Sequence, residues 1–351
     1  MTKIRVLVVD DSLMFRKLLV KHLNEDPDLE VVAEANDPFE ARDAIIEYQP
    51  DVMTLDIELP KMNGIEFLQK LMPQYPLRTI VISTLSDRVF DALRAGAVDF
   101  VAKPHIHHEA QLTEFVKNEL PSKIKIAACA KLRKNYVQTE QIQRVKPHIQ
   151  PGNVKDMIIA IGASTGGTEA TTEVLKDFGP DLPGVVITQH MPPGFTAMYA
   201  ERLNQKFSAN LKITEARSGD IVRPGHVLMA PGGDAHMKVI RKNGEYQILL
   251  RQGDKVNGHC PSVDVLFDSV ADAAGENGIG IILTGMGGDG AKGLLKMRGK
   301  GAHTIGQDAS TSVIYGMPKV AYECGAVEYQ DRIGDIAKRT YALVERMQNN
   351  R

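Results

Sequence analysis

Short β-branched runs alternate with helix-like stretches through the first 120 residues, and this alternation restricts the fold more than any other feature of the chain. Residues 4–9, 31–34, 51–55, 79–82 and 99–102 read as strands. Residues 13–24, 38–48, 65–72, 88–95 and 109–120 read as the helices that separate and follow them. Such a pattern predicts a parallel sheet with helices on both faces. Sites in these folds lie beyond the C-terminal ends of the strands.

Those ends carry chemistry. The first strand delivers Asp10 and Asp11, the third Asp56, the fourth Ser83, and the fifth Lys103 followed by Pro104. Three carboxylates in one pocket repel each other unless a cation intervenes, and a hard ion such as Mg²⁺ suits an oxygen-rich site. Lys103 adds a second counter-charge, and the Ser83 hydroxyl is placed to bind an oxygen of a group attached nearby. A single loop aspartate most often caps a helix. Five suitable residues on four strand ends make that a poor account of the set.

A second series of strand ends begins after residues 157–161, in "AIGASTGG". The spacing G-x-S-x-G (Gly162, Ser164, Gly166) suits a nucleophile on a sharp turn. It equally suits a phosphate loop at a helix N-terminus. Residues 184–189 end in His190, where a dinucleotide fold wants an acidic ribose ligand. Residues 278–283 end in "TGMGGDG", which carries Asp289. Serine, histidine and aspartate thus leave the strand ends of one predicted parallel sheet, the set that acyl transfer needs. His190 would take the Ser164 proton, and Asp289 would fix the imidazole tautomer. The chain order Ser, His, Asp differs from the Ser, Asp, His order of α/β-hydrolases, but order does not decide geometry.

Other histidines could line a cleft but on sequence alone read as structural or exposed. His226 precedes a strand, His236 follows a glycine turn, and His259 precedes Cys260-Pro261. His105, His107 and His108 lack a companion cluster for a metal and read as solvated. Neither a glycine turn nor a strand end presents Cys260.

Composition bounds the rest. A chain of 351 residues, 43% hydrophobic and 25% charged, reads as soluble globular material in two domains. No apolar window reaches membrane-spanning length, and the start of the chain runs straight into a strand rather than a secretory signal. Three scattered cysteines fit a reducing cytoplasm. The net charge is −8 over residues 1–120 and +6 over 121–151. The expected division is therefore 1–120, a basic linker 121–151, and 152–351. The linker is able to lie on an acidic surface. Nucleic-acid binding is disfavoured because neither flanking domain is basic.

Residues 1–120 resemble a response-regulator receiver domain through "VVDDS", "TLDIELPKMNG", "IST" and "FVAKP". The resemblance implies a five-stranded flavodoxin-like fold with Asp56 as phosphoacceptor and Asp10 and Asp11 as the acidic pair. It implies Mg²⁺ on Asp11, Asp56 and the Glu58 carbonyl, phosphoryl contacts from Ser83 and Lys103, and Phe100 as the switch aromatic. Residues 152–351 resemble the catalytic domain of the chemotaxis protein-glutamate methylesterases, the CheB family. The elements are "IGASTGGTEA", "QHMPPGFTAMYAERL", "GHVLMAPGG", "PSVDVLF", "ILTGMGGDGAKGL" and "YGMPKVA".

This second resemblance implies a doubly wound, mostly parallel α/β hydrolytic domain. Ser164 is then nucleophile, His190 base and Asp289 orienting acid, with the backbone amides of Thr165 and Met286 as oxyanion donors. The implied reaction is hydrolysis of glutamate methyl esters on methyl-accepting chemotaxis receptors, with deamidation of receptor glutamines by the same steps. No cofactor serves the ester chemistry. A chemotaxis histidine kinase is the expected phosphodonor, and a cytoplasmic monomer without nucleic-acid or membrane partners the expected form. Cys260 departs from relatives, which often carry Arg there. The long linker would let the unphosphorylated receiver cover the Ser164 cleft. Two other classes remain open at this point: a nucleotide-dependent enzyme using both glycine loops, and a signalling adaptor without turnover.

Overall fold

The computed structural model describes residues 2–84, 86–104, 109–132 and 154–349. His105, His107, His108 and most of the expected linker lie outside the described residues. The chain divides into two units, Met1–Val137 and Gln138–Arg351.

In the first unit, strands β1 (Ile4–Val9), β2 (Leu29–Ala35), β3 (Val52–Asp56), β4 (Arg78–Ser83) and β5 (Asp99–Ala102) form one sheet in the order β2-β1-β3-β4-β5. Every pairing is parallel. Helices α1 (Leu13–Glu25), α2 (Pro38–Tyr48), α3 (Gly64–Leu71), α4 (Arg88–Arg94) and α5 (Glu109–Glu114) follow the strands in turn. All five residues of β3 are buried, as a central strand covered on both faces requires. The order reverses between β1 and β3, so the ends carrying Asp10 and Asp56 flank the crevice where such folds hold ligands.

The last helix differs from the sequence expectation. The sequence pattern predicts it at 109–120, with the basic linker starting at 121. Instead α5 passes through a π-helical turn, Phe115–Glu119, into α6, Leu120–Ala128. Pro121 lacks an amide hydrogen and its ring crowds the preceding turn, which a widened π turn accommodates. Leu120, Ile124 and Ala127 of α6 are buried, and Arg78 Nε donates to Ala130 O at 3.0 Å. Lys123 reaches Asp99 at 2.6 Å, and Lys125 reaches Asp26 and Asp28 at 2.9 and 2.8 Å. The start of the presumed linker therefore belongs to the first unit. A lysine count alone misses it because the buried face of α6 lies between the charges.

The second unit is built on seven parallel strands in the order β14-β13-β12-β6-β7-β9-β8. They are β6 (Ile158–Ala163), β7 (Gly184–Gln189), β8 (Lys212–Glu215), β9 (His226–Met229), β12 (Gly278–Ile282), β13 (His303–Gln307) and β14 (Tyr329–Asp331). Strands β10 (Ala235–Lys242) and β11 (Glu245–Gln252) form a separate antiparallel hairpin. Its turn is Asn243-Gly244, both at positive φ, the two-residue turn whose twist matches a hairpin.

The helices of this unit are α7 (Gly167–Leu175), α8 (Phe195–Phe207), α9 (Val263–Ala274), α10 (Ala291–Gly299), α11 (Met317–Glu323) and α12 (Ile336–Asn349). Leu266, Phe267 and Val270 of α9 join Ile158, Val186, Leu294, Met297 and the hairpin residues Met237 and Ile248 in one core. The sheet order reverses at β6, with β7 on one side and β12 on the other. No helix among the described residues is long and apolar enough to cross a membrane.

Candidate active site

At the C-terminal edge of the first sheet, Lys103 Nζ donates to Asp10 Oδ2 at 2.7 Å and to Asp56 Oδ2 at 2.6 Å. Carboxylate oxygens of Asp10, Asp11 and Asp56 lie within 4.8 Å of one another. Asp10 and Asp56 are buried and Asp11 is exposed. The Ser12 amide fixes Asp10 Oδ1 at 2.9 Å, and the Glu58 amide fixes Asp56 Oδ1 at 3.1 Å. Burial pushes the Asp10 carboxyl up to about 6, with Lys103 opposing and the neighbouring Asp56 charge adding to it. Burial acts against the Lys103 ammonium, but its two carboxylate partners win and raise its affinity for the proton. Crowded acid charge with one exposed member fits a hard divalent ion, which adds positive charge where Lys103 alone falls short. Ser83 is buried at the end of β4, and Phe100 is buried with its ring edge-on to Phe90 at 6.4 Å.

In the second unit, Ser164 lies in the turn between β6 and α7. Gly166 there has φ of +76°, a conformation that costs glycine least. The Ser164 amide donates to Thr284 O at 3.0 Å, and Gln189 Nε2 donates to Ser164 O at 2.9 Å. Gly285 supplies the close approach. A Cβ there would lie 2.7 Å from Ser164 Cβ and 2.3 Å from Met317 Sδ, so no side chain fits.

His190 follows β7, and its amide donates to Ala163 O at 3.1 Å, directly before Ser164. Its Nε2 lies 2.9 Å from Asp289 Oδ2. Its Nδ1 is buried without a hydrogen-bond partner. No hydrogen bond joins the Ser164 hydroxyl to His190 among the described residues; such contacts commonly tighten only around substrate.

Asp289 is 1% exposed. Its Oδ1 accepts from Asn257 Nδ2, Ser262 Oγ and the Asp264 amide at 2.8, 2.8 and 3.1 Å. Its Oδ2 accepts from the Val263 amide at 2.7 Å, beside His190. Two of these donors are the first amides of α9, where the helix dipole favours an anion. Burial alone would raise the carboxyl. The contacts from His190, Asn257 and Ser262 outweigh it and hold Asp289 well below the ordinary range. Asp264 shares Asn257 but has neither His190 nor Ser262, and burial together with the neighbouring Asp289 charge leaves it raised.

Strand-end logic thus brings Asp10, Asp11, Asp56 and Lys103 together in the first unit, and His190 with Asp289 beside the Ser164 turn in the second. Thr165 is buried and Met286 exposed on the two loops that meet at Ser164. Sequence reasoning missed Asn257, Ser262 and Asp264 around the acid. The Asn-Gly pair at 257–258 was the available signal, since it marks a tight turn before a helix.

On sequence alone His259 reads as structural or exposed. Its ring stacks on His190 at 3.7 Å between centroids and 10° between planes. Cys260 Sγ points to Gly253 O at 3.9 Å, and burial raises its thiol, which opposes a nucleophilic role.

Sequence comparison matches residues 159–340 to the CheB methylesterase family and residues 6–117 to the response regulator receiver domain. A protein-glutamate methylesterase/protein-glutamine glutaminase of Syntrophomonas wolfei is 53% identical, covering 98% of this chain and 99% of its own. Another of the same description from Caulobacter vibrioides is 50% identical over 94% of this chain and 95% of its own. The crystal structure of the Thermotoga maritima CheB methylesterase catalytic domain is 38% identical and aligns with TM-score 0.51, covering 53% of this chain and 98% of that one.

Proposed function

The chain belongs to the CheB methylesterase family and is a protein-glutamate methylesterase/protein-glutamine glutaminase with a receiver domain, and from that premise we propose that Ser164, His190 and Asp289 perform the chemistry on chemotaxis receptors. The observation that carries this reading is the fivefold-donated Asp289 carboxylate against His190, beside the Ser164 turn, where Gly285 packs with no room for a side chain.

His190 Nδ1, the nitrogen not turned to Asp289, takes the Ser164 proton as Oγ attacks the ester carbonyl. The Thr165 and Met286 amides receive the oxyanion. A donor of that kind is worth about 10²–10³ in rate. Asp289 stabilises the imidazolium. Collapse expels methanol, protonated by His190, and leaves an acyl-serine. Water, deprotonated by His190, then releases the glutamate. From a glutamine side chain the same steps release ammonia. Methanol release from methylated receptor membranes by the purified chain tests the reading; intact folded protein that releases none overturns it.

The receiver reading rests on the Asp10, Asp11, Asp56 and Lys103 cluster. Asp56 accepts the phosphoryl group from a chemotaxis histidine kinase, and Lys103 and Ser83 contact its oxygens. Asp11, Asp56 and the Glu58 carbonyl would hold Mg²⁺, which when bound supplies charge neutralisation during transfer. Phosphate incorporation is expected to need Mg²⁺ and to vanish in Asp56→Asn. Label retained in that variant through an acid-stable bond would move the acceptor to another residue.

The receiver holds the esterase down until Asp56 is phosphorylated. Residues 152–351 alone are expected to exceed the unphosphorylated full chain in receptor demethylation and to ignore phosphodonors. Allosteric couplings of about 1–3 kcal/mol correspond to roughly 5–150-fold. A fragment no faster than the unphosphorylated chain would leave recruitment as the receiver's role.

A further inference from the structure

His236 lies on β10, outside the seven-stranded sheet, and is 5% exposed. Its ring joins two points eight residues apart. Nε2 lies 2.9 Å from Asp254 O, and Nδ1 lies 3.2 Å from the Ser262 amide. A backbone amide only donates, so Nδ1 accepts and the ring proton sits on Nε2, donating to Asp254. One neutral tautomer therefore pins both ends of the segment 254–262.

Three side chains of that segment, those of Asn257, His259 and Ser262, contact the acid or the base. Val256 and His259 exchange backbone hydrogen bonds at 2.9 and 3.0 Å. Between them Asn257 and Gly258 adopt φ of +53° and +83°, the signature of a type I′ turn. From this turn Asn257 Nδ2 donates to Asp289 Oδ1 at 2.8 Å and to Asp264 Oδ2 at 2.7 Å, bridging two buried carboxylates. His259 covers the His190 ring. At the far end Ser262 gives its amide to His236 and its hydroxyl to Asp289.

We propose that His236 is a positioning residue for ester hydrolysis, acting as a two-ended clamp that sets the 254–262 segment and, through Asn257, His259 and Ser262, the orientation of Asp289 and His190. The proposal rests on the Ser164, His190, Asp289 reading. It extends the machinery to a histidine whose ring hydrogen bonds go to Asp254 and Ser262 rather than to the triad.

The test uses the full chain with methylated receptor membranes and three substitutions. His236→Gln keeps a donor near the Nε2 position, His236→Asn keeps an acceptor near the Nδ1 position, and His236→Leu keeps neither. A misplacement of about 1 Å remote from the chemistry costs about 10²-fold, so kcat is expected to fall by about that factor in His236→Leu. Asn and Gln should fall between Leu and wild type, with KM nearly unchanged throughout. Thermal melts fix a temperature at which each variant is folded; if Leu does not fold, Asn and Gln carry the test.

Folded variants with wild-type kcat overturn the clamp, as does a loss confined to KM. Ser164→Ala runs alongside. If it stays active, the triad reading has failed; if it is inactive while the His236 variants keep full kcat, only the clamp has failed.

Discussion

Ser164→Ala is expected to abolish demethylation of receptor membranes, with kcat falling by about 10⁶, the scale at which loss of a catalytic serine removes nucleophilic chemistry. The geometry explains why no neighbour substitutes. Gly285 packs its backbone against Ser164 Cβ, Thr165 is buried, and the Cys260 thiol is raised by burial in another loop. Folding should be nearly unaffected, because the loop is held through the Ser164 backbone: its amide bonds Thr284 and its carbonyl accepts from Gln189. Receptor binding should persist, and phosphorylation of Asp56 should proceed at the wild-type rate. Methanol release measured against a thermal melt separates these expectations. A variant that melts like the parent and retains substantial turnover would remove Ser164 from the mechanism.

The strand ends were legible because parallel sheets place function at one edge, and the residues there stand out against apolar runs. Asp10, Asp56, Lys103, His190 and Asp289 all emerged this way. The carboxylate's surroundings did not. Asn257 and Ser262 reach Asp289 across gaps of 32 and 27 residues, through a turn whose register depends on a histidine of a separate hairpin. No periodicity encodes such a contact. His259 is similarly invisible, since stacking on His190 depends on where the 254–262 segment is pinned. The α6 boundary failed for another reason. Its lysines dominate the charge count, whereas its burial rests on Leu120, Ile124 and Ala127 at helical spacing. The same lysines do lie on acids, as the basic stretch suggested, but on Asp26, Asp28 and Asp99 of their own unit.

Asp289→Asn should lower kcat by about 10⁴, the loss expected when an amide replaces the triad carboxylate and imposes the wrong imidazole tautomer. The contacts dictate that outcome. The carboxylate faces only donors: three at Oδ1 and two at Oδ2. An amide brings an NH₂ group to one side. Toward Oδ1 it would oppose Asn257, Ser262 and the Asp264 amide together. Toward Oδ2 it opposes the fixed Val263 amide and His190, and His190 alone can adapt by turning Nε2 into an acceptor. The ring proton then moves to Nδ1, the nitrogen that must take the Ser164 proton.

Acidity separates this from a general loss of charge. Asp289 is held below the ordinary aspartate range, so its contribution to stability is complete above the unfolded value and lost only as pH falls through the folded one. At neutral pH the wild-type carboxylate is fully ionised. What Asp289→Asn loses is the placement of the ring proton, which a change of pH does not restore. Raising the pH should therefore not recover the missing rate. Measuring kcat/KM from acid to alkaline pH in both proteins decides the matter: recovery of most of the activity at high pH would show that the carboxylate supplies charge alone and that the tautomer argument is mistaken.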